Sequence, residues 1–216
     1  MQFFNLHTHQ LPSEYEKALV NLSWPFNDGS NHHFYSVGIH PWHINQVLYP
    51  TQLAELKIIS ISENIRAIGE CGLDRICETP FQLQEKAFRD HIRLAQELGK
   101  PLIIHCVRSF REVIFLLKEE RFTLPVVFHG FNNNADIAHE LLTAGYFLSF
   151  GKSLFNPSMA QTFASIPNHR FFLETDNSSY SLLQIYQQAA MLRQSSLDQI
   201  LKPIQSLASQ LFQIPF

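Results

Sequence analysis

The stretch TPFQLQEKAFRDHIRLAQELGKPLIIHC (residues 79–106) joins the two patterns that decide the fold. Its first part repeats apolar residues at helical spacing, begins with Thr79-Pro80 and stops at Gly99, as helices commonly do. Its last part, residues 101–106, is a short apolar run typical of a buried strand. A helix that leads directly into a buried strand predicts an α/β protein with a parallel sheet.

The same alternation is found along the whole chain. The strand candidates are residues 3–7, 17–22, 34–40, 66–72, 101–106, 125–131, 146–151 and 170–176. The helix candidates are residues 79–99, 109–120, 133–145 and 157–166, followed by two helices in residues 180–216, with Pro203 near the start of the second. Eight such strands predict an α/β fold of the (β/α)8 TIM type. Because the link between the first two strands is short, we expect a compact barrel with the first helix reduced or missing.

Composition and charge limit the classes of protein to which the chain can belong. Its 216 residues, 45% of them hydrophobic, suit a single domain over residues 1–216. The net charge of −3 and the absence of charge blocks argue against a protein that coats polyanions. No apolar run approaches the ~20 residues of a membrane span, and the first residues lack a basic leader. We therefore expect a cytoplasmic protein that neither associates with a membrane nor requires a protein partner.

Residues of metal-ligand type occupy five of the predicted strand ends. They are His7, His9, Glu70, His105, His129 and Asp176. In barrels of this type the active site lies at the carboxyl ends of the strands, so these side chains are expected to meet. Four imidazoles and two carboxylates exceed the needs of one tetrahedral zinc and suit two ions that share a carboxylate. Glu70, near the middle of the set, is the natural bridge.

The order of these motifs resembles a known family. The motifs are His7-Thr8-His9, Gly38–Pro41, Ile68–Asp74, His105, His129 and Glu174–Asp176, and they resemble the signatures of the TatD family of metal-dependent deoxyribonucleases. The resemblance covers nearly the whole chain. It implies two ligand sets, His7, His9, Glu70 and Asp176 for one ion and Glu70, His105 and His129 for the other. Either Mg²⁺, Mn²⁺ or Zn²⁺ suits such mixed ligands.

This site predicts a metal-dependent hydrolase. The resemblance implies that it cleaves phosphodiesters and acts as a 3′-exonuclease on single-stranded DNA. Two ions roughly 3.5–4 Å apart lower the pKa of a bridging water and stabilise the charge that grows on a phosphoryl oxygen. Asp176 is the predicted general base and Glu70 the second catalytic carboxylate. The predicted substrate contacts are His40, Trp42, Asp74 and Arg108.

Several further residues receive a structural interpretation. Glu174 lies one layer deeper than Asp176 on the same strand face, and a hydrogen bond to a ligand is expected of it. The aromatic residues Trp42, Phe131 and Phe155 either stack on bases or belong to the packing. Cys71 and Cys106 are interpreted as packing residues. The histidines at positions 32, 33, 91, 139 and 169 are expected at the surface.

The chain departs from the family pattern at three places. Asn5 stands where members carry an acidic residue, and Val107 stands where they carry an arginine, with Arg108 one position later. The loop after Asp176, NSSYSLLQIYQQ, lacks the basic residues of its relatives. These differences keep two alternatives open: a dinuclear deacylase or amidase acting on a small molecule or an aminoacylated nucleic acid, and a degenerate barrel that binds metal without catalysis.

Overall fold

The structure, a computed structural model, describes residues 2–26 and 33–216. Its strands are β1 (Phe3–Thr8), β2 (Glu16–Ser23), β3 (Phe34–Gly38), β4 (Ile65–Asp74), β5 (Leu102–Val107), β6 (Val126–Phe128), β7 (Phe147–Phe150) and β8 (Phe171–Leu173). Its helices are α1 (Tyr49–Ile59), α2 (Phe81–Leu98), α3 (Phe110–Glu119), α4 (Ala135–Thr143), α5 (Met159–Ser165), α6 (Leu182–Leu192) and α7 (Leu197–Phe212). Short 3-10 turns at Pro41–His43 and Lys152–Phe155 follow β3 and β7.

The strands form one eight-stranded sheet in the order β1 to β8. The pairs β1–β2, β3–β4, β4–β5, β6–β7 and β7–β8 are parallel. Residues 9–15, between β1 and β2, contain no helix. The predicted (β/α)8 class is therefore confirmed, with the first helix missing as expected.

The structure changes the details of several predicted elements. Strand β4 extends to Asp74, so that residue belongs to the strand, whereas His129 and Asp176 lie beyond the shorter strands β6 and β8. Helix α1 was not predicted, because its mixed exposure leaves no clear apolar face in the sequence. Pro203 lies inside α7 rather than at its start. The prediction made for His32 lies outside the described residues.

Contacts group the chain into two compact units, and the first consists of Met1–Val20 with Val127–Phe216. Its core is rich in phenylalanine: the ring of Phe4 lies 6.0 Å from that of Phe172 and 6.2 Å from that of Phe212. The buried Tyr186 hydroxyl donates a hydrogen bond to the Phe4 carbonyl at 2.9 Å. These contacts hold α6 and α7 against β1, the strand that carries His7.

The second unit consists of Asn21–Val126, and its helix α2 packs on β4. This helix ends as predicted at Gly99, whose φ of 65° is the left-handed conformation that favours glycine. Its buried face includes His91, so the prediction of a surface position for His91 was wrong. The error arises because Ala87, His91 and Ala95 share a face at helical spacing, and that face turns inward.

No helix in the described part of the chain combines the length and the apolar character that crossing a bilayer requires.

Candidate metal-binding clusters

Two clusters of imidazole and carboxylate side chains stand at the strand ends, one in each compact unit. The first, which we call the His7 cluster, contains His7, His9, His129, Glu174 and Asp176. The second, the Glu70 cluster, contains His40, Trp42, Glu70, Asp74 and His105. The two clusters include all six of the predicted metal ligands.

Three members of the His7 cluster bring ligand atoms together. The Nε2 atoms of His7 and His9 lie 3.8 and 3.5 Å from Oδ1 of Asp176, and the donor atoms of all three residues lie within 4.8 Å of one another. The backbone fixes this approach, because the Asp176 N–H donates to the His7 carbonyl at 2.9 Å and Thr8 pairs with Asp176. Asp176 has a φ of 50°, an uncommon backbone conformation for a residue other than glycine.

The other two members of the His7 cluster pair with each other. Oε1 of Glu174 accepts a hydrogen bond from the Gly130 N–H at 2.8 Å and lies 3.3 Å from Nδ1 of His129. If Nδ1 carries the proton, Nε2 of His129 presents a lone pair, which is the usual arrangement of a ligating histidine. The His129 ring lies 4.4 Å from the His7 ring. Because Glu174 is only 1% exposed, its role is to orient the His129 imidazole through this contact.

The Glu70 cluster is arranged around one carboxylate oxygen. Oε1 of Glu70 lies 2.9 Å from Nδ1 of His105 and 3.1 Å from Nε2 of His40. Nδ1 of His40 accepts a hydrogen bond from the backbone N–H of Trp42 at 3.1 Å. The proton of the neutral imidazole is therefore on Nε2, which faces Glu70. Burial lowers the pKa of His40, against the opposing effect of the hydrogen bond to Glu70.

His105 lies between two carboxylates. Its Nε2 atom is 3.0 Å from Oδ2 of Asp74, while its Nδ1 atom faces Glu70. A neutral imidazole has one N–H, so it can donate to only one of the two carboxylates. At the other carboxylate, the ring nitrogen and the carboxylate oxygen face each other with lone pairs, and a cation bound between them removes this repulsion. The donor set of this cluster thus fits a divalent ion, and so does that of His7, His9 and Asp176.

Asp74 is held in its ionised form by its hydrogen bonds. Burial opposes ionisation, but donors at Ile76 N, at the Trp42 indole and at His105 outweigh it and hold the pKa of Asp74 below its usual value. The indole N–H of Trp42 donates a hydrogen bond to Oδ2 of Asp74 at 2.7 Å. Trp42 is nevertheless 61% exposed. Asp74 and Trp42 therefore form a fixed wall beside His105.

Two residues that support the Glu70 cluster were missed by sequence reasoning. Oδ1 of Asn21 accepts hydrogen bonds from the Glu70 N–H at 3.0 Å and from the Ser36 hydroxyl at 3.2 Å. Nε2 of the buried His91 accepts from the N–H of Ile39, the residue before His40, at 2.9 Å, while Nδ1 lies 2.7 Å from the Ala87 carbonyl. The signal for Asn21 was a polar residue inside the apolar run 17–22.

The remaining predicted contacts are dispersed. Arg108 is exposed directly after β5, with a φ of 53°. Phe131 is only 2% exposed and packs against Phe150, so it belongs to the core and cannot stack on a base. Cys71 is buried and Cys106 partly so, and burial raises the pKa of both thiols, consistent with the packing role expected of them.

Comparison with known proteins gives a consistent family match. The model of the TatD related DNase family matches residues 14–213. An uncharacterized metal-dependent hydrolase, YabD of Bacillus subtilis, is 30% identical over 195 residues, which cover 80% of this chain and 76% of that protein. The 3'-5' ssDNA/RNA exonuclease TatD of Edwardsiella piscicida is 29% identical over 208 residues, covering 83% of this chain and 77% of that protein.

The matches to other curated relatives are shorter, and this chain spans 55–58% of the length of those proteins. Among solved structures, the TatD homologue YjjV of Escherichia coli superposes with a TM-score of 0.81 at 19% identity, covering 99% of this chain and 98% of that one. At that identity the likeness concerns the fold, which agrees with the sheet order described above.

Proposed function

The chain belongs to the family of TatD-related DNases, and on that premise we propose that it is a metal-dependent hydrolase that cleaves phosphodiester bonds in single-stranded nucleic acid. The observation that carries the proposal is the convergence of donor atoms from His7, His9 and Asp176 within 4.8 Å. The name of the Edwardsiella relative supports the choice of a nucleic-acid substrate.

The proposed roles follow from where each side chain stands. His7, His9 and Asp176 would hold one divalent ion, and Glu70 with His105 would hold another; the sharing of Glu70 between both ions remains a prediction from the family resemblance. Bound ions supply Lewis acidity to a phosphoryl oxygen and make hydroxide available near neutral pH. Asp176, with one oxygen towards the two imidazoles, accepts the proton of the attacking water at its other oxygen.

The Glu70 cluster would also bind substrate. The exposed face of Trp42 is available for stacking on a base, and its N–H bond to Asp74 holds the ring in one orientation. We assign His40 to the substrate, because its Nε2 atom, 3.1 Å from Glu70, carries a proton and so cannot ligate an ion. Arg108, exposed after β5, is the proposed phosphate contact.

A deacylase or amidase is the second candidate, and two observations favour it. Residues 177–188 contain neither lysine nor arginine, and the net charge of the chain is −3, which is a poor match for a polyanion. Water activated by the same groups would attack a carbonyl carbon equally well, so the substrate decides between the two proposals.

The test uses the purified chain with 3′-labelled single-stranded DNA in Mg²⁺, Mn²⁺ and Zn²⁺. Asp176→Asn removes the proposed base, and Asp136→Asn, at an exposed position on α4, is the matched control. Stepwise loss of label in the parent and the control, but not in Asp176→Asn, supports the nuclease. If the parent leaves DNA and RNA intact in every metal but hydrolyses acyl or amide substrates, the second candidate replaces the first.

A further inference from the structure

A stacked aromatic pair stands at the carboxyl ends of β7 and β8. The rings of Phe155 and Tyr180 are 3.8 Å apart between centroids, with an angle of 4° between their planes. Phe155 ends the 3-10 turn that follows β7, and Tyr180 lies in the loop that follows β8. The sequence suggests Phe155 as a stacking residue, whereas only the structure identifies Tyr180 as its partner.

The pair lies close to Asp176 along the chain. Tyr180 follows Asp176 by four positions, which limits the distance between their backbones to about 14 Å even in an extended chain. The loop is shorter than that limit because it turns: Ser178 N–H donates to the Thr175 carbonyl at 2.9 Å, and Tyr180 N–H donates to the Ser178 hydroxyl at 3.0 Å. Tyr180 is therefore held within reach of a nucleotide bound at Asp176.

The partner ring is also fixed in place. The Gln188 side chain of α6 donates to the carbonyl of Leu154, the residue before Phe155, at 3.0 Å. Tyr180 remains 37% exposed although it stacks on Phe155. Two parallel, stacked rings anchored by separate elements, with Tyr180 partly exposed, present an aromatic face without the entropy cost of ordering a loop on binding.

From this geometry we propose that Tyr180 and Phe155 form a subsite for one nucleobase of a single-stranded substrate. The proposal rests on the proposed function and names a contact for that substrate. A nucleobase stacks on an aromatic ring with little dependence on sequence, because every base has a π face. Stacking needs no positive charge. The pair can therefore bind substrate at a loop that lacks the basic residues of its relatives.

The charge around the pair predicts how binding responds to salt. Residues 177–188, in the loop after β8 and the first part of α6, have no cationic side chain, and the exposed Lys152 begins the turn that ends at Phe155. One lysine on a single strand contributes a slope of about −0.7 in log affinity against log salt. The base contact at Tyr180 is therefore expected to persist at salt concentrations that weaken phosphate contacts.

The test measures binding apart from cleavage. In the Asp176→Asn background, fluorescence anisotropy gives the Kd of a labelled single-stranded oligonucleotide and of a series in which one nucleotide at a time is abasic. We expect one abasic position near the 3′ end to raise Kd about tenfold, the loss of one base stack. Tyr180→Leu, which keeps an apolar side chain but no π face, should raise Kd for the intact oligonucleotide equally and remove the abasic penalty.

Two control variants separate stacking from general damage. Tyr180→Phe keeps the ring and should restore both the affinity and the abasic penalty. Phe115→Ala removes an exposed ring on α3 and should change neither. Two outcomes overturn the subsite and leave the nuclease proposal standing. One is an abasic penalty that persists in Tyr180→Leu, and the other is an oligonucleotide series with no penalty at any position. Absence of cleavage in the parent with normal base-dependent binding would instead refute the proposed function alone.

Discussion

Oε1 of Glu70 lies 2.9 Å from Nδ1 of His105, on the neighbouring strand of the sheet. The contact joins two predicted metal ligands, and Asp74 holds the opposite nitrogen of the same imidazole at 3.0 Å. Two carboxylates on one imidazole create a need for positive charge, which a proton or a metal ion can supply. This arrangement leads to the first prediction.

Glu70→Gln should weaken metal binding, because it removes the negative charge while keeping the shape of the side chain. We expect metal affinity to fall at least 10- to 100-fold, the usual cost of disturbing even the partners of ligands. Calorimetric titration of the metal-free protein with Mn²⁺ and Zn²⁺ measures this. Glu97→Gln, at an exposed position on α2, is the control, and equal affinities in the two variants would remove Glu70 from the ligands.

Asp176→Asn should lower the rate of hydrolysis by about 10²- to 10⁴-fold, the range for loss of a general acid or base. Since Asp176 is partly exposed beyond β8, thermal unfolding of the metal-free variant should match that of Asp136→Asn. The rate is measured on whichever substrate the parent cleaves. A variant that retains more than a tenth of the parent rate would show that another group takes the proton.

Asn21→Leu should destabilise the protein and weaken metal binding together. It leaves the Glu70 N–H and the Ser36 hydroxyl without their shared acceptor, at a cost of about 1–3 kcal/mol in the free energy of unfolding. Urea unfolding and metal titration measure the two effects. Asn168→Ala, at an exposed loop position, should leave both unchanged, and normal metal affinity in Asn21→Leu would confine Asn21 to a structural role.

His91 should make stability depend on pH. Burial lowers its pKa from the ordinary value of 6.5, so on acidification the unfolded chain takes up a proton at this site before the folded protein does. Its contribution to stability is therefore complete above about pH 6.5 and is lost as pH falls below that value.

His91→Gln should reduce this dependence on pH. The measurement is urea unfolding of metal-free protein at pH 7.5 and 5.5, and the compared quantity is the change in free energy between the two values. His169→Gln, at an exposed position, is expected to behave as the parent. The same change in free energy in both variants would contradict the assignment.

The sequence carried enough information for the fold class and for the imidazole and carboxylate side chains that stand at the strand ends. In the sequence, buried parallel strands appear as apolar runs. Candidate ligands at the ends of these runs stand out because they are polar residues that directly follow an apolar stretch. Helix α1 and the buried position of His91 escaped prediction, because both depend on which face of a helix the rest of the chain covers.

The sequence by itself determined the strand order, the missing first helix and the residue types that face the strand ends, because local periodicity and spacing encode these. Only the tertiary structure decided which oxygen of Glu70 faces His105, that Asn21 supports Glu70, and that Tyr180 stacks on Phe155. The physical reason is that hydrogen bonds and ring contacts depend on distances of a few tenths of an ångström between residues remote in the chain. No local pattern of residues specifies such distances; the packing of the folded core sets them.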